Sequence, residues 1–238
     1  MLVYKSTKQQ FIDAVRANAI SDIIESEVLR KLNRNSPRSE IQAWEYSLRF
    51  MMSALLDDDI PASAGVAIEY NIPLTNRRVD FILTGKNHQR DDAAVIVELK
   101  QWQSVEVTNK DAIVRTQLGG GVRETNHPSY QAWSYSALIE DYNETVRSES
   151  IRLVPCAYLH NMKQGNAIND PFYEHHTRRA PVFISQDALK LSRFLSQHIK
   201  YGDSSNIMYR IEHGVIKPSK NLADALASMM QGCVFRRT

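Results

Sequence analysis

Residues 93–102 read AAVIVELKQW, and this stretch restricts the fold more than any other in the chain. A continuous apolar run ending in Glu98-Leu99-Lys100 reads as a buried strand. Side chains of a strand alternate between its faces, so Glu98 and Lys100 share one face and Leu99 enters the other. A buried strand normally excludes charge, because an ion taken out of water needs a partner. Opposite charges side by side at the end of such a strand point to a site. Just upstream, Arg78-Val79-Asp80-Phe81-Ile82-Leu83 is a second apolar strand with one acid inside it.

Periodicity and turn residues give the order of the remaining elements. Residues 6–32 carry Phe11, Val15, Ile20, Ile24, Val28 and Leu32 at helical spacing, with Ser6 or Thr7 as a cap. Ser36-Pro37 opens a second helix to about Leu56, with Trp44, Leu48, Met51 and Leu55 on one stripe. Strands are expected at 66–72, 78–84 and 93–99, separated by turns. Residues 108–126 are polar and contain Gly119-Gly120-Gly121, which predicts a mobile loop. A helix from Pro128 to about Val146, a strand at 151–159 and a polar loop at 161–170 follow. The tail is expected to hold a strand at 181–184, a helix at 187–198, a small hairpin at 208–216 and a helix at 221–230 capped by Ser219. The expected class is α/β. Its core runs helix, three strands, helix, strand over about 36–160, within a single domain spanning 1–238. Residues 1–35 are expected to form a helical extension and 161–238 an α/β one.

The bulk composition bounds the function. Apolar content of 43% and charged content of 24% are those of a globular protein. A net charge of +2 means that any binding of nucleic acid must rest on a local basic face. Cys156 and Cys233 give no disulfide framework and no zinc spacing. The N-terminus lacks the apolar core of a signal peptide, and no stretch is apolar enough to span a bilayer, so a cytoplasmic location without membrane contact is expected. Gly119–Gly121 and Gly85-Lys86-Asn87 both lack the residues of a nucleotide-binding P-loop. His160 and the pair His175-His176 lack ligand spacing, and the pair reads as part of a solvated loop.

Asp80 and Glu98 supply two carboxylates to one ion if their strands are neighbours. Magnesium takes oxygen ligands of this kind, and it polarises a phosphate and lowers the pKa of a bound water. Lys100 would stand beside that water and stabilise developing charge. Glu69 or Asn71, one tight turn upstream, would lie roughly opposite Asp80, and Glu69 is a further candidate ligand for the ion. Glu40 shares a helix face with Trp44, at the edge of the site. Gln131 and Tyr135, at i and i+4, face the same way and suit a phosphate or the lysine. Lys110, Arg115 and Arg123 flank the glycine run and suit a nucleic-acid backbone. Each residue also has a plainer use. Asp80 and Glu69 would pair with Arg77 or Arg78, Glu40 would be a solvated first-turn acid, Gln131 and Tyr135 polar tips of a half-buried helix, and the three cations a solvated loop.

The ordered set Asp80, Glu98-x-Lys100 and Gln131-x-x-x-Tyr135 resembles the PD-(D/E)xK nuclease superfamily, and the Gln/Tyr pair resembles its RecB-like branch. EYNIPLTNRRVDFILTG, VIVELKQW, HPSYQAWSYSALIEDYN, RLVPCAYLHN and KPSKNLADALASM together resemble the N-terminal nuclease domain of bacterial helicase proteins related to the Schlafen group. The resemblance implies a restriction-endonuclease-like core and a metal-dependent nuclease. It implies Mg²⁺, with Mn²⁺ as substitute, on Asp80, Glu98 and the carbonyl of Leu99. Lys100 becomes the catalytic lysine, Gln131 and Tyr135 supporting residues, and Glu40 the acid of the first core helix. Val79 stands where the superfamily name has proline. The implied partners are nucleic acid, DNA ahead of RNA, and an ATPase motor of the kind into which those relatives continue; an oligomer is compatible with this. Host defence or DNA processing is the implied setting. A catalytically weak nucleic-acid-binding module and an unrelated α/β scaffold are the competing readings.

Overall fold

The computed structural model describes residues 1–234. The chain opens with a strand, β1 (Leu2–Thr7), followed by helices α1 (Lys8–Arg16), α2 (Ile20–Leu32) and α3 (Arg38–Leu55). Strands β2 (Gly65–Asn71), β3 (Arg78–Lys86) and β4 (Asp92–Lys100) come next. A small group, β5 (Glu106–Val107), β6 (Ile113–Leu118) and β7 (Gly121–Asn126), precedes helices α4 (Pro128–Tyr142) and α5 (Glu144–Ser148). Strand β8 (Arg152–Leu159) is followed by α6 (Glu174–Thr177), β9 (Val182–Ile184), α7 (Ala188–His198), α8 (Ile207–Glu212) and α9 (Lys220–Val234).

The main sheet is mixed, with order β1-β2-β3-β4-β8-β9. Neighbours from β1 to β4 are antiparallel, because short turns join β2 to β3 and β3 to β4. β8 is parallel to β4, which requires the crossover that α4 supplies. The apolar run of β4 therefore lies between strands on both edges and under helices on both faces. Phe11, Ile24, Leu48, Met51 and Leu195 cover one face, against Ile68, Phe81, Val95 and Val97. Tyr135, Ile139, Val146 and Ile207 cover the other, against Tyr70, Ile82 and Ile96. Each such side chain contributes about 1.5–3 kcal/mol on burial. The order helix, three strands, helix, strand is present as α3, β2–β4, α4 and β8.

Five local expectations differ. Residues 2–7 form an edge strand rather than the lead-in to a helix, because Leu2, Val3 and Tyr4 are buried beside β2. The helix expected over 6–32 breaks at Asn18, which adopts a left-handed φ of 53°. Apolar spacing continues on both sides of that break, so periodicity alone runs through it. Instead of a loop, residues 108–126 supply two strands, β6 and β7, of a three-stranded antiparallel sheet that β5 completes. Gly119 (φ 56°) and Gly120 (φ 86°) make its tight turn, and Val114 and Thr116 are buried while Arg115 and Gln117 are exposed. The segment 208–216 is largely helical (α8), since Ile207, Met208 and Ile211 bury one helical side. Asn143 also ends α4 earlier than expected by capping α5 at the Val146 N–H. No helix among the described residues is long and apolar enough to cross a membrane.

Candidate active site

The site begins with a break in strand alternation. Ile68 packs on the α3 side of the sheet and Tyr70 on the α4 side, although residues two apart in a strand share a face. Between them Glu69 adopts a left-handed φ of 60°. Pairing of Ile68 with Phe81 and of Tyr70 with Val79 brackets Glu69 opposite Asp80. The turn of the backbone sends the Glu69 carboxylate toward α3, where Oε1 accepts the Trp44 indole N–H at 2.8 Å. Oε2 stands 2.5 Å from Nε of Arg78. A left-handed non-glycine residue costs on the order of 1–3 kcal/mol, which these contacts offset.

The ladder between β3 and β4 ends at Phe81 and Val97. Beyond it, Oδ2 of Asp80 accepts the Leu99 N–H at 2.9 Å. In an extended strand the N–H and C=O of one residue leave by the same edge, so the Leu99 carbonyl is directed toward that same opening. Glu98 is only 1% exposed. Its Oε1 accepts from Lys100 Nζ at 2.6 Å and from Gln131 Nε2 at 2.7 Å. Gln131 Nε2 also donates to the Tyr135 hydroxyl at 2.8 Å, one turn along α4. The start of α4 is fixed by the buried His127. Its Nδ1 accepts the Ser129 N–H at 3.2 Å, and Nε2 lies 2.9 Å from the Ile168 carbonyl.

Burial raises the Glu98 pKa, and nearby Asp80 raises it further, against the pull of Lys100. Burial pulls Lys100 down, yet Glu98 and Asp80 together hold it above its ordinary value, so it stays an ammonium ion. Glu69 is pushed up to about 7 by burial first, with Arg78 opposing and Asp80 adding to the shift. Glu40 is held low, chiefly by the Arg34 guanidinium and also by Arg78. Burial pushes His127 down to about 4, so it is neutral near pH 7.

A divalent cation suits this arrangement. Oε2 of Glu98 is buried without a hydrogen-bond partner among the described residues. Asp80 stands close enough to Glu98 to raise its pKa. A cation shared by Asp80 and Glu98 would relieve both the orphan oxygen and the repulsion that raises the Glu98 pKa. The oxygens of Glu69, Asp80 and Glu98 do not all come within 4.8 Å of one another, and Glu69 is taken up by Trp44 and Arg78. Glu69, expected among the metal ligands, lies beside Asp80 with its carboxylate turned to Trp44 and Arg78.

A cleft of about 230 Å³ between α3 and the sheet is lined by Glu40, Trp44, Glu69, Arg78, Asp80 and Leu99 among others, while Glu98 and Lys100 lie outside its lining. Glu40 reaches it through two arginines, Arg34 at 2.8 and 3.1 Å and Arg78 at 2.8 Å. Sequence reasoning missed Trp44, Arg34 and His127 as supports of the site. Trp44 carried a usable signal, since a core indole needs a partner for its N–H.

The three expected nucleic-acid contacts lie on the small sheet. Lys110 is paired with Glu124 at 2.6 Å. Arg115 lies 3.7 Å from Glu124 and 3.8 Å from Glu106. Arg123 is exposed. Trp102 and Val114 join this sheet to Leu159 and Tyr173 in a core of their own. The pair His175-His176 is not a solvated loop: His176 is buried, and both rings approach Asp111. Comparison of the chain with family models, with curated proteins and with solved structures returned no match.

Proposed function

We propose that this chain is a metal-dependent nuclease of PD-(D/E)xK type on a restriction-endonuclease-like core, cutting phosphodiester bonds in nucleic acid, with DNA the preferred form. One observation carries the reading. Asp80 and Glu98 meet at the end of a buried strand, with Lys100 on an oxygen of Glu98 and the other oxygen unpartnered. Asp80 and Glu98 would hold Mg²⁺ or Mn²⁺, with the Leu99 carbonyl as a further ligand. Such an ion polarises the phosphate and acidifies a water.

The protein side of the reaction follows from the contacts. Gln131 fixes the rotamer of Glu98, and Tyr135 fixes Gln131. Lys100, kept charged by two acids, orients the attacking water and stabilises negative charge growing on the phosphate. Arg78 and Arg34 neutralise Glu69 and Glu40, which would otherwise repel a phosphate entering the cleft. The cations of the small sheet would hold the backbone. A cytoplasmic setting, an ATPase partner and a part in host defence belong to the same proposal.

The test uses labelled single- and double-stranded DNA and RNA with Mg²⁺, Mn²⁺ or EDTA, on wild type and Glu98→Gln. Cleavage is expected with either metal, and none with EDTA or in the variant. Cleavage that persists in EDTA, or an equally active variant, overturns the proposal.

A further inference from the structure

We infer that Asp111, His175 and His176 form a second metal site, of the zinc class, that ties the small sheet to α6. The donors come from distant parts of the chain and meet at one oxygen. Nε2 of His176 lies 2.9 Å from Oδ1 of Asp111, and Nε2 of His175 lies 3.3 Å from the same atom. One ligand atom from each of the three residues lies within 4.8 Å of those of the others. Tetrahedral zinc with bonds of roughly 2.0–2.1 Å needs donors about 3.3 Å apart, so small side-chain shifts suffice.

The donor chemistry selects the ion. Two imidazoles and one carboxylate suit Zn²⁺ and its neighbours in the first transition row, whereas Mg²⁺ prefers oxygen throughout. The site is open on one side: the side chains of His175 and Asp111 are 53% and 72% exposed, while that of His176 is 4%. A fourth position therefore remains for water. The site is also built before any ion arrives. The Tyr173 hydroxyl accepts the Thr108 N–H at 2.9 Å and donates to the Ile113 carbonyl at 2.6 Å. These two bonds bracket Asp111 and hold its loop beside the turn that leads into α6. The inference does not depend on the nuclease reading, since it uses none of the same residues.

The test is titration of the metal-stripped full chain with Zn²⁺ alone by calorimetry. The chain carries Asp80→Asn and Glu98→Gln, so that the other carboxylate site is silent. One zinc per chain is expected, with cobalt substitution giving the visible bands of a tetrahedral nitrogen–oxygen site. Adding Asp111→Ala or His175→Ala should weaken binding at least about 10-fold. Both residues are largely exposed, so the fold survives either change, and circular dichroism checks this. Absence of stoichiometric zinc binding would overturn the inference. So would zinc affinity unchanged in both variants, or equal competition by Mg²⁺ at the same concentration.

Discussion

The carboxylate of Asp80 takes the place of a backbone carbonyl, accepting the Leu99 N–H at 2.9 Å just where the ladder between β3 and β4 stops. The residue thus has a structural and a chemical task, and two substitutions separate them. Asp80→Asn keeps an acceptor for Leu99 and removes the charge. Asp80→Ala removes both. Cleavage should vanish in both variants, and Asp80→Ala should be less stable than Asp80→Asn by about 1 kcal/mol, as for a lost hydrogen bond. Denaturant unfolding beside a cleavage assay checks this; an active Asp80→Asn would refute the metal role.

Lys100 and Gln131 hold the same oxygen of Glu98, yet their removal should differ. Lys100→Ala should lower turnover at saturating metal by about 10²-fold or more, as for a lost electrostatic stabiliser. Gln131→Ala leaves the charge in place and should raise the metal concentration needed more than it lowers turnover. Metal titrations of the cleavage rate distinguish the two. The assignment of Lys100 fails if its variant loses metal affinity but turns over normally once saturated.

His127 makes the fold sensitive to acid. Its folded pKa of about 4 lies below the ordinary histidine value, because burial disfavours the charged ring. A depressed pKa means that the folded state binds fewer protons. The associated stability is fully present above about pH 6.5 and is lost as pH falls toward 4, on the order of 3 kcal/mol in all. His127→Asn keeps a capping oxygen and does not titrate. Its stability should fall less over that window, and identical pH profiles would contradict the account.

Glu69 works in the opposite direction. Its folded pKa, pushed up to about 7, exceeds that of the unfolded chain. The stability tied to its proton is present below about pH 4.3 and disappears as pH rises through 7. Glu69→Gln should therefore gain on wild type between those limits, by an amount on the order of 3 kcal/mol, when unfolding is measured in EDTA. A gap that stays constant with pH would show that Arg78 keeps Glu69 ionised throughout.

Charge removal on the small sheet should affect grip. Arg115 meets Glu124 and Glu106 only at the long distances of 3.7 and 3.8 Å, and Arg123 is exposed. The double variant Arg115→Ala/Arg123→Ala should bind all sequences more weakly and reduce the slope of log affinity against log salt by about 2. Lys110, held by Glu124, should contribute less. Wild-type binding by the double variant across a salt titration would place the substrate elsewhere.

The core of this architecture was legible because it is written in local patterns. The apolar runs of β2, β3 and β4 and the stripe on α3 are each bounded by turn residues, and their order fixes which strands are neighbours. The meeting of Gln131 with Glu98 follows from that order and from helical spacing. What escaped depends on contacts distant in sequence. Glu69 looks like an ordinary strand acid, and its left-handed backbone is fixed by Trp44 and Arg78. The small sheet is polar on one side, so its alternation between Ile113 and Leu118 is faint, and glycine suggested freedom where it supplies a turn. Asp111 and His175 lie far apart in sequence, and no spacing rule could join them.

The Tyr173 hydroxyl, which holds both Thr108 and Ile113, also has a bearing on how the chain is made. Strands β3 and β4 are complete once residue 100 has left the ribosome. The small sheet lacks its Tyr173 hydrogen bonds until that residue emerges, and synthesis at about 5–20 residues per second leaves an interval of several seconds. During that interval the buried side of the small sheet, Val114 above all, lacks the Tyr173 ring that later covers it. A chaperone present at that moment meets an apolar surface that the finished protein buries.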